Sequence, residues 1–119
     1  MTNTRSARAL RREYRLGPVP LLVLEGIEVL KKDAYGLAIM DFVNARLGPE
    51  RAIDPGQVYV TLKRLERDRK FVTITETRTV RSSPPLKVYA VTPEGRRAQS
   101  IAKAEAEAMH RAVMQGKGR

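Results

Sequence analysis

DPGQVYVTLKRLERDRKFV, residues 54–72, predicts a short helix followed directly by a β-strand. Asp54 is a suitable N-cap because its carboxylate accepts unpaired backbone N–H groups, and Pro55 fits the first helical position. Val58, Leu62 and Leu65 recur at a spacing that gives one buried stripe. The opposite face carries the polar and cationic side chains of Gln57, Thr61, Lys63, Arg64 and Arg67. A short cationic helix followed by a hairpin fits the major groove, so the segment predicts a DNA-binding module.

Composition limits the classes of function. A chain of 119 residues fits one domain with its own core, and its formal net charge of +10 indicates a polyanionic partner such as nucleic acid. Cysteine is absent, which excludes disulfides, thiol nucleophiles and thiolate metal sites. No apolar run approaches the roughly 20 residues needed to cross a bilayer, and the N-terminus lacks a signal-peptide pattern. We therefore expect a cytoplasmic protein without membrane contact.

The first half of the chain predicts a basic arm and two helices before the segment quoted above. Residues 1–16 form the arm, which contains Arg5, Arg8, Arg11, Arg12 and Arg15. It either docks as a helix, stays disordered, or follows a groove of DNA, as other basic arms do. A first helix over residues 19–32 is apolar on more than one face and should be largely buried, with Gly26 allowing close helix packing. Asp33 is expected to cap a second helix that ends at Gly48-Pro49.

The second half predicts a two-stranded wing and a long helix. Alternating β-branched residues over 71–78 and 86–92 predict two strands around the turn VRSSPP. Thr92 and Pro93 open a last helix that should reach about Met114, followed by a basic tail. The expected class is α+β and mostly helical: a winged helix-turn-helix over residues 17–92, with three core helices and the wing, then a dimerisation helix and tail over 93–119. The last helix also predicts an interface between two copies of the chain. Its small apolar face predicts a dimer interface at Ile101, Ala102, Met109 and Val113. The alternative is that the helix only covers its own domain.

Four motifs occur in a characteristic order. They are AYGLAI (residues 34–39) at the start of the second helix, PGQVYVTLKRLE (55–66) in the third helix, KVYAVT (87–92) in the second strand, and TPEGR (92–96) at the last helix. This ordered set, spanning residues 20–99, resembles the PadR-like family of winged-helix transcriptional regulators. The resemblance implies a homodimer that represses a nearby promoter. It also implies that a small aromatic or cationic effector between the protomers sometimes relieves repression.

The chain departs from the family pattern in three places. The family usually has a glycine after the third helix, whereas this chain has Asp68-Arg69-Lys70-Phe71-Val72, so Arg69 or Lys70 must make the turn. The wing tip is Ser82-Ser83-Pro84-Pro85 instead of a glycine- and arginine-rich sequence. Val88 replaces the first of two aromatic residues in the second strand.

The candidate DNA-binding residues lie on three elements. On the third helix, Lys63, Arg64 and Arg67 can reach phosphates, and Arg64 or Gln57 can read a base edge; a solvated helix face is the alternative. By the resemblance, Tyr59 offers its hydroxyl to phosphate, and Tyr35 is placed to do so near a helix N-terminus. Packing is the alternative for both tyrosines. Arg78, Arg81 and Lys87 lie on the wing, where they either contact DNA or remain solvated.

Nothing in the chain indicates catalysis. His110 is the only histidine, and no carboxylates surround it at ligand spacing. We expect no enzyme activity, metal or cofactor. The predicted function is sequence-specific binding of double-stranded DNA by a homodimeric regulator, which the resemblance implies to be a repressor. The alternatives are a sequence-independent RNA- or nucleoid-binding protein and a winged helix used for protein–protein contact.

Overall fold

The computed structural model describes Ser6, residues 13–79, Arg81 and residues 84–117. In this part of the chain the long elements follow the order α1 (Pro18–Leu30), α2 (Gly36–Leu47), α3 (Pro55–Lys63), β1 (Val72–Arg78), β2 (Leu86–Val91) and α4 (Pro93–Lys117). Short 3₁₀ turns occupy Lys31–Asp33 and Pro49–Arg51, and a π-helical turn at Arg64–Asp68 extends α3. The predicted α+β, mostly helical class is confirmed.

The core lies among the first three helices and the base of the wing. Its largest fully buried side chains belong to Val23, Leu24, Ile27, Ile39, Val43, Val58, Leu62 and Val72. Gly26 allows α1 and α2 to approach closely, because an added Cβ would lie 2.8 Å from Cδ1 of Phe42. The predicted use of this glycine for close packing is therefore confirmed.

The structure differs from the sequence expectations at three points near the end of α1 and the start of α2. The helix ends at Leu30, not Lys32, because Lys31 has a φ of 53° and the backbone continues as a 3₁₀ turn. Val29 is 58% exposed although the helix was expected to be largely buried. Asp33 does not cap α2: the N-cap is Tyr35, with no side-chain cap, and Asp33 instead faces Arg78.

The junction between α3 and β1 replaces the missing glycine with a widened turn. The backbone N–H of Arg69 donates to the carbonyl of Arg64 (3.0 Å), and that of Phe71 donates to Leu65 (2.8 Å). Lys70 makes the turn with a φ of 58°, in the left-handed region that non-glycine residues seldom adopt. Of the two residues expected to make this turn, it is thus Lys70 that does so.

The wing is an antiparallel pair of strands that backbone hydrogen bonds hold against the helices. Its register runs from Val72 opposite Val91 to Arg78 opposite Leu86, with an irregularity between Ile74 and Glu76. The backbone N–H of Tyr89 donates to the carbonyl of Ala34 (2.9 Å), and Val88 forms an isolated antiparallel β-bridge with Tyr35. These contacts hold the base of the wing against the loop that precedes α2. Val80, Ser82 and Ser83 of the expected turn lie outside the described residues.

The start of α4 and the N-terminal segment pack on the same end of the wing. Thr92 caps α4 as predicted, since its Oγ1 accepts from Gly95 N–H (3.1 Å). Tyr14 is buried, stacks on Phe71 and donates its hydroxyl to Glu94 (2.6 Å). The arm's last residues therefore contact the domain, whereas most of residues 1–12 lie outside the described part. The helix α4 continues beyond the expected Met114 to Lys117, so Gly116 is still helical.

Candidate nucleic-acid interface

The third helix presents a cationic face because its apolar stripe is anchored in the core. Val58, Leu62 and Leu65 are buried, which turns the opposite side of the helix outward. Lys63, Arg64 and Arg67 are exposed. In the described residues no salt bridge holds any of these three cations. Their charges are therefore available to an anionic partner along about one and a half turns of helix.

Gln57 lies at the N-terminus of this face and takes part in the helix cap. Its backbone N–H donates to Asp54 (2.8 Å), while its side-chain oxygen accepts from the backbone N–H of Asp54 (2.9 Å). The two residues form the reciprocal capping box that satisfies otherwise unpaired N–H groups. The predicted N-cap at Asp54 is confirmed. The side-chain oxygen of Gln57 is thereby engaged, and only its amide NH₂ remains for a base edge.

Tyr59 joins α3 to the N-terminus of α2. Its hydroxyl lies against Gly36, the first residue of α2, where an added Cβ would be 2.7 Å from the phenol oxygen. A cavity of about 260 Å³ opens beside them, and Lys87 from β2 and Tyr89 also line it. The tyrosine hydroxyl, a wing lysine and a helix N-terminus thus share one small site, a combination that suits a phosphate group.

Tyr35 and Tyr89 mainly support this site. Tyr35 is half-buried, serves as the N-cap of α2, and pairs through its backbone with Val88. Burial raises the pKa of the Tyr89 phenol above its ordinary value, and the charge of Glu66 and the neighbouring Tyr59 act in the same direction. Tyr89 consequently stays neutral and packs the site from the wing side.

The wing cations differ in their availability. Arg78 donates to the carbonyl of Lys32 (2.7 Å) and pairs with Asp33 (3.6 Å) and Glu76. The hydrogen bond to Glu76 is the main cause that raises the pKa of its guanidinium. Arg81 and Lys87 are exposed, and no ion pair with a described residue holds them. Arg78 therefore fastens the wing to the α1–α2 connection, whereas the other two point to solvent.

The candidate dimer residues fall into two environments. Ile101 packs against the core of its own domain, and Ala102 is half-buried. Met109 is 67% exposed and Val113 is also exposed on the part of α4 that extends beyond the domain. The first pair thus serves the protomer itself, at least in part, while the second pair offers apolar surface. Their place in a dimer interface stays a prediction.

Two residues of the candidate DNA-binding surface were missed in the sequence analysis. Val60 is exposed at the centre of the outward face of α3, and Gly36 receives the Tyr59 ring. The helical period identifies Val60, since it lies about 180° from the buried stripe. The role of Gly36 depends on a contact between two helices and has no signal in local sequence.

The described residues offer neither a metal site nor a membrane-spanning helix. They hold no cluster of three or more His, Cys, Asp or Glu side chains suited to a metal ion. His110 is exposed on α4. Within the same part of the chain, every helix is too short or too polar to span a membrane.

Comparison with known proteins identifies the family. A search of curated proteins finds no match. The family model described as "Transcriptional regulator PadR-like family" matches residues 23–100, which is about two thirds of the chain and includes α2, α3, the wing and the start of α4. Regulators of this family bind DNA and are generally not enzymes. The chain therefore belongs to the PadR-like family of transcriptional regulators.

Proposed function

We propose that this transcriptional regulator binds a specific double-stranded DNA operator as a homodimer and acts as a repressor. The observation that carries the proposal is the outward face of α3, where Lys63, Arg64 and Arg67 are exposed without a salt bridge to any described residue. A helix of this length, with a rigid capped N-terminus, fits the major groove. Since the proposed ligand is DNA, we expect the protein in the cytoplasm.

Phosphate contacts would orient α3 in the groove. Tyr59 and Lys87 flank the N-terminus of α2, so one backbone phosphate bound there would fix the position of both α2 and the wing. Arg81 extends the same cationic surface toward the wing tip. We revise the role of Arg78 from DNA contact to positioning of the wing, because its guanidinium already binds the carbonyl of Lys32 and two carboxylates.

A dimer supplies the contact area that one winged helix lacks. Met109 and Val113 expose apolar surface on the extended half of α4, which is available to a second copy. Two-fold symmetry would place the recognition helices on an inverted repeat with half-sites about 34–36 Å apart. A small-molecule effector between protomers, as the resemblance implies, stays a prediction, as does the sign of regulation.

Selection of bound sequences from a random duplex library tests the proposal. The full chain would be used at physiological salt with excess nonspecific competitor, because specific complexes survive competition and nonspecific ones do not. We expect recovery of an inverted repeat. Tight binding with no recovered motif would favour sequence-independent nucleic-acid binding, and no binding would favour an acidic protein partner; either result contradicts the proposal.

Single substitutions test the assigned surface on the recovered operator. Lys63→Ala and Arg64→Ala should each weaken binding, and loss of a phosphate contact should reduce the slope of log K against log salt by about 1. Arg111→Ala removes the same charge from an exposed position on α4 and serves as the matched control. Equal affinities for all three variants and the wild-type chain would show that α3 is not the DNA-binding element.

A further inference from the structure

An apolar side chain lies at the point of α3 that is farthest from the core. Val58, Leu62 and Leu65 define the buried side, and at about 100° per residue Val60 lies almost opposite their mean direction. Val60 is 48% exposed although the rest of the outward face is cationic or polar. Its methyl groups therefore face any partner that this side of the helix approaches.

The residues one turn away leave Val60 uncovered. Gly56 precedes it by one turn, and a Cβ built there would meet only Asp54 Oδ1, at 3.3 Å, so the helix surface beside Val60 is bare. Lys63 and Arg64 follow it by one turn, and long cationic side chains there would hold Val60 against the floor of a groove while they reach phosphates or bases.

The polar neighbours of Val60 are largely engaged within the helix. The Thr61 hydroxyl donates to the carbonyl of Gln57 (2.8 Å), and the side-chain oxygen of Gln57 accepts from Asp54. A cavity of about 500 Å³ in front of this part of α3 is lined by the apolar side chains of Val19, Ile53 and Val60 and also by Asp54, Gln57, Thr61 and Arg64. Val60 is therefore the residue that supplies an apolar contact in this part of the α3 face, while the amide NH₂ of Gln57 and the guanidinium of Arg64 remain for hydrogen bonds.

In the major groove, the apolar group that a base pair presents is the C5-methyl of thymine. Valine cannot hydrogen-bond to a base edge, but its methyl groups can exclude water from such a methyl. Resting on the proposed function, we propose that Val60 is a specificity-determining residue that contacts the 5-methyl group of a thymine in each half-site of the operator.

The proposal is tested by removing the methyl group from either side of the contact. In the operator recovered with the wild-type chain, each thymine of a half-site is replaced in turn by deoxyuridine, which lacks only that methyl. One such replacement should weaken wild-type binding about fourfold, the size expected for one buried methyl group. Val60→Ala should weaken binding to the thymine operator to a similar extent and should be insensitive to the same deoxyuridine, so the two changes are not additive.

Val29→Ala is the matched control, since it makes the same substitution at an exposed valine on α1, away from the cationic face. Val29→Ala should bind the thymine operator and the deoxyuridine operator with the same affinities as the wild-type chain. A 5-methylcytosine carries the same methyl group, so at the contacted position it should bind more tightly than cytosine with the wild-type chain and equally with Val60→Ala. Thermal unfolding of both variants checks that they fold.

The outcomes separate this inference from the proposed function. If an operator is recovered but every deoxyuridine operator binds the wild-type chain as tightly as its thymine counterpart, the role of Val60 is wrong and the DNA-binding function stands. Additive effects of Val60→Ala and deoxyuridine also contradict the contact. If the wild-type chain selects no operator, the proposed function fails and this inference fails with it.

Discussion

At the scale of single residues, Gly95 sets the distance between α4 and the wing. An added Cβ at this position would lie 2.2 Å from the carbonyl oxygen of Phe71 and 2.7 Å from a methyl carbon of Val91. The first of these atoms belongs to the backbone immediately before β1, so it cannot rotate away. Any side chain at residue 95 must therefore displace the N-terminus of α4.

We predict that Gly95→Ala destabilises the protein by about 2 kcal/mol. Overpacking costs about 1–3 kcal/mol and the backbone contact favours the upper end, while alanine regains about 1 kcal/mol of helix propensity over glycine. Gly116→Ala is the matched control, because its Cβ would meet nothing within 4 Å. Urea unfolding of both variants measures the difference, and equal stability of Gly95→Ala and the wild type would contradict this packing.

The raised pKa of Tyr89 predicts how the free energy of unfolding changes at alkaline pH. Burial raises the pKa of its phenol, so the folded chain holds this proton more tightly than the unfolded chain does. Its stabilising effect is complete below the unfolded pKa of about 10 and is lost as pH rises from there through the folded pKa. We therefore expect the wild type to lose more unfolding free energy than Tyr89→Phe above about pH 10. Parallel stability–pH profiles of the two chains in that range would be inconsistent with it.

At the scale of elements, the wing is positioned by a contact between parts of the chain that are far apart in sequence. Arg78, the last residue of β1, binds the carbonyl of Lys32 and faces Asp33 in the 3₁₀ turn after α1. Backbone pairing of Tyr89 with Ala34 holds the other strand to the same region. The orientation of the wing relative to α3 thus depends on the α1–α2 connection.

We predict that Arg78→Gln weakens operator binding while the fold persists, because the wing loses its anchor. The salt dependence distinguishes this role from a direct contact. If Arg78 positions the wing, the slope of log K against log salt is unchanged; if it binds a phosphate, the slope falls by about 1. Lys87→Ala, at an exposed wing lysine beside Tyr59, provides the comparison in which the slope should fall.

At the scale of the whole molecule, α4 extends well beyond the domain that it covers. It contains 25 residues, which is about 37 Å of helix, and its side chains from Lys103 onward are exposed wherever they are described. Packing stabilises helices in proteins more than intrinsic propensity does, so we expect a helix with this much free surface to pack against a partner. A second copy of the chain is the partner that the proposed function requires.

We predict a dimer at micromolar concentration that Met109→Asp combined with Val113→Asp converts to a monomer. The new carboxylates would have to be buried unpaired in the interface, which is strongly unfavourable. Ala104→Asp places one charge on the opposite side of α4 and should leave the dimer intact. Gel filtration with light scattering gives the mass of each variant, and a monomeric wild-type chain would exclude this interface.

Local sequence determined the elements and the chemistry of the surface. Asp54 with Pro55, and Thr92 with Pro93, specify where α3 and α4 begin, because caps act on N–H groups within one turn. The stripe of Val58, Leu62 and Leu65 specifies which side of α3 is cationic. Residues at helical spacing lie on one side of the helix, so the remaining residues must lie on the other side. Element boundaries elsewhere moved by one to three residues, as at Lys31 and Lys117, where no proline marks the end.

The tertiary structure alone decided which predicted residues are available. Arg78 and Lys87 are both wing cations by sequence, but Arg78 binds a carbonyl 46 residues away while Lys87 lies beside Tyr59. Tyr14, read as part of a basic arm, is buried and bonds to Glu94, 80 residues later. Such contacts depend on how separate elements pack, so neither period nor propensity encodes them. A side chain's type and face follow from its neighbours in the chain, whereas its partners follow from the fold.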